Sequence, residues 1–139
     1  MDEDSSMKLL IVSVLSMSLM AAPVVAKPPL REVAEIDDAL FDLGVAHRIR
    51  KKCSTISARM LTALAYINNL ERKALDMGYT KKEIDAYTDS DADKDRLKAK
   101  ARIFFRNRGV DTSDPESYCA VGLEEIQKAS RIGSLLRAK

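Results

Sequence analysis

From Leu30 to Asp114 the chain has no proline, and in that stretch glycine stands only at positions 44, 78 and 109. Ala, Leu, Lys, Arg, Glu and Asp dominate it, and β-branched residues are sparse. Such a composition favours helix, because these side chains lose little freedom there. No stretch alternates Val, Ile or Thr with polar residues in the manner of a half-buried strand. The expected class is therefore all-α, and 139 residues set a single domain.

The pattern divides into four longer helices and one short one. Pro28-Pro29 gives an extended lead-in, and the first helix is predicted over Leu30–Lys52. Val33, Ile36, Leu40, Leu43 and His47 follow 3,4 spacing on one face, widened by Phe41, Val45 and Ile49. Glu32 and Glu35 near its start and Arg48, Arg50, Lys51 and Lys52 near its end suit the helix dipole. Gly44 within it marks a close crossing or a slight kink. Cys53-Ser54-Thr55 makes a turn, and the second helix is predicted over Ile56–Met77. Met60, Leu64, Ile67, Leu70, Ala74 and Met77 form its expected buried face, with Leu61 and Leu75 beside it, and Gly78 its C-terminal stop.

Thr80-Lys81-Lys82-Glu83 is a capping box for the short third helix, which carries Ile84 and Tyr87. The fourth helix is predicted over Asp91–Arg108, burying Leu97, Ala101 and Phe104, with Phe105 beside them. Asp114-Pro115 opens a final helix expected to run to Leu136, with Gly122 and Gly133 placed to allow close helix approach.

Leu9 to Ala26 is uncharged and ends in Val24-Val25-Ala26, with small residues three and one before the expected cut. This reads as a secretory signal peptide, residues 1–26, cleaved after Ala26, leaving 27–139 as one helical domain. The alternative is a retained membrane anchor over residues 9–26, at the short edge of what spans a bilayer. The acidic Met1–Ser6 does not fit a signal peptide's basic start, which leaves Met7 as an alternative start. The whole chain has net charge +2. Residues 1–26 carry Asp2, Glu3, Asp4 and Lys8, so the remaining 113 residues carry +4.

Cys53 and Cys119 are the only cysteines. In an exported domain of this size a lone pair is expected to form one disulfide. Closing a loop of 66 residues would contribute roughly 4 kcal/mol in the chain-entropy model. No Cys-x-x-Cys spacing supports a redox thiol, and one His with two Cys cannot build a four-ligand zinc site. No cofactor and no metal are expected.

Several clusters carry residue types used in chemistry. Asp89, Asp91, Asp93 and Asp95 resemble the start of a calcium loop, but Lys94 and Lys100 stand where such a loop needs Gly and Glu. They read instead as acids at a helix start. His47 sits in a basic run that disfavours its charged form. The adjacent pairs Asp37-Asp38 and Glu124-Glu125 are the carboxylates a hydrolase would need, but neighbours on a helix point about 100° apart.

Two basic clusters remain. One is Arg48, Arg50, Lys51 and Lys52. The other, on the fourth helix, includes Lys98, Lys100, Arg102, Arg106 and Arg108, with Lys98, Arg102 and Arg106 at four-residue steps. Export argues against nucleic acid, so the expected partner is an acidic protein or an anionic membrane surface. No small-molecule substrate is identified.

Ile36-Asp37-Asp38, Arg50-Lys51-Lys52-Cys53 and Asp114-Pro115-Glu116-Ser117-Tyr118-Cys119 carry a resemblance. The chain resembles a family of small exported bacterial helical proteins with one cysteine pair, classed as a domain of unknown function, over nearly all of residues 28–136. The family implies no catalytic residues, and its association with respiratory-complex genes implies such a complex as one candidate partner. A looser architectural likeness is to periplasmic acid-stress chaperones. The sequence expectation is a periplasmic or secreted non-enzymatic module that docks its partner through Arg48, Arg50, Lys51, Lys52, Lys98, Arg102 and Arg106. A periplasmic acid-stress holdase and a hydrolase with paired carboxylates are the rival readings.

Overall fold

The computed structural model describes residues 25–139. The expected signal peptide or anchor therefore lies almost wholly outside the described residues. Leu30–Glu32 forms a single 3-10 turn, and α1 runs over Ala34–Lys52. The predicted first helix is thus interrupted at Val33, which is extended (φ −88°, ψ 94°) and whose carbonyl accepts from the amides of Ile36 and Asp37. A β-branched residue after the Pro-Pro lead-in adopts this conformation without strain.

The expected face of α1 is packed in large part: Ile36, Val45 and Ile49 are buried, and Val33, Leu40, Phe41 and Leu43 pack half-buried against the two cores. His47 is exposed, and the centre of the buried face shifts to take in Ala39, Ala46, Asp37 and Asp42. The periodicity found the helix but not this shift, because two acids share the buried face and are compensated by distant cations.

After Cys53 the chain forms β1, Ile56–Ala58, which pairs antiparallel with β2, Leu136–Ala138. Ile56 faces Ala138, and Ala58 faces Leu136. No strand was expected, since three residues are too few to display alternation. The second helix, α2, consequently starts at Met60, not Ile56, and runs to Asp76. Gly78 follows in the left-handed region (φ +89°), and the amide of Tyr79 returns to the carbonyl of Ala74.

Helix α3, Lys81–Asp89, carries the capping box in full: Thr80 Oγ1 accepts from the Glu83 amide and Glu83 Oε2 from the Thr80 amide. Helix α4, Asp91–Arg106, is capped by Ser90, whose hydroxyl accepts from the Asp93 amide.

The last predicted helix is two. Helix α5 covers Ser117–Gln127 and α6 covers Arg131–Ser134. Ala129 adopts a positive φ of 49°, and Ser130 starts α6 by accepting from the Gly133 amide. The chain folds back so tightly that a Cβ on Gly133 would lie 1.9 Å from the Glu125 carbonyl oxygen. A Cβ on Gly122 would lie 2.4 Å from Ile56 Cδ1 and 2.7 Å from Ile49 Cγ2. Both glycines allow close approach, as expected.

The main core gathers Val45, Ile49, Ile56, Phe105, Tyr118 and Leu135. The Cys53–Cys119 disulfide joins the ends of α1 and α5 beside it. Phe41, Phe104, Phe105 and Tyr118 run through it edge to face. A smaller core of Leu30, Ile36, Ala74, Tyr79, Ile84 and Tyr87 seals the opposite end. The described residues form an all-α bundle of five longer helices and one short one, with a two-stranded sheet, tied by a single disulfide. Among the described residues no helix is long and apolar enough to cross a membrane.

Candidate docking site

Helix α2 is the least buried of the long helices. It rests on its neighbours through Ala63, Tyr66, Leu70 and Ala74, and only Ala74 is fully buried. Tyr66 donates to the Ala39 carbonyl of α1 at 3.4 Å, and burial raises its pKa. Most of the face expected to be buried is exposed: Met60 is 63% accessible, Leu64 56% and Ile67 42%, with Leu61 beside them at 85%. The helix has more apolar residues than one packing face can use, and of the expected face Leu70 and Ala74 are the residues that pack.

Beside this face lies an open apolar groove of about 440 Å³. Leu40, Leu43 and Gly44 of α1 form its floor. Met60 and Ile67 of α2 line one wall, and Leu97 of α4 the other. Gly44 is no crossing point, because a Cβ there would meet nothing within 4 Å.

Arg50 and His47 line the groove from α1 and Lys94 from α4. Partial burial depresses the His47 pKa, and Arg50, Lys51 and Arg48 depress it further. Lys94, Lys98, Arg102 and Arg106 are spaced four residues apart, so they make one ridge that turns about 40° per step, from the groove wall at Lys94 round to the outer side of α4 at Arg106. Arg48, Arg50, Lys51, Lys52, Arg102 and Arg106 make no ion pair with a described carboxylate, and Lys98 reaches Asp95 at 3.4 Å. Arg96 and Lys100 of α4, and Arg108 just past its end, are engaged internally. Lys100 binds Asp38 at 2.9 Å and lies over the Phe41 ring, and Arg108 pairs with Glu125 and stacks over Phe104.

The carboxylates singled out by sequence are likewise engaged. Asp37 accepts from both guanidinium nitrogens of Arg96 and from the Tyr87 hydroxyl. Burial pushes its pKa up, but the hydrogen bonds from Arg96 and Tyr87 outweigh this and hold it below the ordinary value of 3.8. Glu124 pairs with Lys128, and buried Glu125 with Arg108 and the Ser130 hydroxyl. Asp42 binds Arg131 at 2.7 Å, yet burial leaves its pKa raised. Of the acidic run, Asp93 is buried between Arg96 and Arg31, and Asp95 pairs with Lys98. Glu116 approaches the disulfide and accepts from the amide and hydroxyl of Ser54. Both sulfurs of that cluster are consumed in the S–S bond.

Fold and disulfide together define a small stapled helical protein of the kind that matures in an oxidising compartment. The chain belongs to DUF5333, a family of unknown function, which matches it over residues 28–137. No curated protein and no solved structure matches it significantly. Sequence reasoning found the basic clusters but missed the groove. The available signal was the surplus of apolar residues on α2.

Proposed function

We propose that this protein is an exported, non-enzymatic docking module that holds an acidic partner on the basic surface formed by the end of α1 and the outer stripe of α4. The signal peptide would be removed after Ala26, and the partner would be a periplasmic protein or the exposed part of a membrane-bound complex. The observation that carries this reading is the division of labour among the cations. Arg96, Lys100, Arg108 and Arg131 are bound to carboxylates inside the fold. Arg48, Arg50, Lys51, Lys52, Arg102 and Arg106 form no such pairs among the described residues, and we take their charge to steer an acidic surface. The test is co-purification from periplasmic and membrane fractions at low and high salt. A partner released by salt, and lost on reversing Lys51, Lys52, Arg102 and Arg106 to Glu, supports docking. Capture that ignores both changes rejects it.

A second reading, a stress holdase, is favoured by the exposed apolar face of α2. It requires suppression of client aggregation in acid. A protein that stays folded and protects no client at low pH excludes it.

A further inference from the structure

We infer that the groove between α1, α2 and α4 receives an amphipathic helix of the partner protein, its apolar face on the groove floor and acidic residues along its flank. This rests on the docking reading above and adds to it a site and a partner chemistry.

Three observations converge on that occupant. The first is shape. The floor of Leu40, Leu43 and Gly44 lies between two helical walls, the geometry into which a third helix sets residues spaced three and four apart. Gly44 weakens α1 without allowing any close internal packing, because nothing stands within 4 Å of where its Cβ would be. Its effect is to keep the floor open.

The second is extent. Apolar surface continues out of the groove along α2 through Leu61 and Leu64. A small ligand lodged in the groove would leave these residues wet, whereas a helix lying along α2 covers them.

The third is charge. Arg50 and Lys94 line the groove, and Lys98 stands one turn on from Lys94 along α4. The groove's own acid, Asp93, is already neutralised by Arg96 and Arg31. The same rim argues against a second copy of this chain. A two-fold pairing through this face brings like-charged rims together.

The experiment uses a fluorescent synthetic peptide of roughly 18 residues, about five helical turns. It carries Leu at helical spacing on one face and Glu on the flanks, and it is titrated into the purified protein by anisotropy. Two control peptides carry Lys in place of Glu, or the same residues with the spacing scrambled. We expect saturable binding that weakens by about tenfold or more with either control, and equally with Gly44→Phe, which fills the floor. Gly44→Phe is checked for an unchanged melting transition. Should it disturb folding, Leu64→Ser, already at the surface, replaces it. No saturable binding, or binding indifferent to these substitutions, overturns the inference. So does uptake only of phosphatidylglycerol-containing vesicles, or self-association through this face. If salt-sensitive capture of an acidic partner survives Gly44→Phe, the groove assignment fails and the basic-surface reading stands. If capture fails as well, both fall.

Discussion

Arg96 of α4 grips Asp37 on the buried face of α1 with two guanidinium nitrogens, across 59 residues of sequence. Tyr87 donates to the same carboxylate from α3. Asp93, one turn back on α4, accepts from Arg96 Nε at 3.3 Å. One cation thus ties three helices together and neutralises two buried acids. Its side chain is 37% exposed, so water moderates the energetics.

The two ends of this contact should respond unequally. Arg96→Met leaves Asp37 and Asp93 without their main cation, which we expect to cost about 3 kcal/mol. Asp37→Asn leaves Arg96 with Asp93 and with solvent, and should cost about 1–2 kcal/mol. Urea unfolding of both variants checks the order.

The same contact sets an acid limit. The folded-state pKa of Asp37 is lowered, so its contribution is complete above the ordinary value of 3.8 and is lost as pH falls through the depressed folded value. Stability followed by denaturant titration should therefore fall as pH drops below about 3.8. In Asp37→Asn that decline should be shallower.

The glycines should separate cleanly by environment. Gly133→Ala forces a Cβ onto the Glu125 backbone and should cost about 3 kcal/mol or more. Gly122→Ala meets side chains that can yield and should cost about 1–3 kcal/mol. Gly44→Ala meets nothing and should stabilise by about 0.5–1 kcal/mol. Thermal melts of the three variants rank them.

Reduction of the Cys53–Cys119 bond releases a 66-residue loop into the unfolded ensemble. The chain-entropy model predicts a loss of roughly 4 kcal/mol, measurable as a lower denaturant midpoint for the Cys53→Ala/Cys119→Ala variant.

The helices, the capping box at Thr80 and Glu83, the stop at Gly78 and the disulfide were legible because each is written in local chemistry or in counting. That the buried face of α1 also takes in Asp37 and Asp42 was not, because their partners, Arg96 and Arg131, lie far along the chain. The small sheet escaped notice because neither three-residue strand exists without the other. The break at Ala129 carries no glycine to announce its positive φ. The basic residues of the candidate site were visible as runs. The groove they border was hidden, because periodicity says that a stripe is apolar and not whether anything covers it.

If charge on the groove rim matches acid on a docked helix, exchanging the signs exchanges the preference. A charge-swap titration by calorimetry tests it most directly, pairing the wild type and Arg50→Glu/Lys94→Glu with the Glu-flanked and Lys-flanked peptides. A reversal is expected: the variant loses the acidic peptide by about tenfold or more and gains the basic one. Unchanged preference for the acidic peptide in the variant would contradict it.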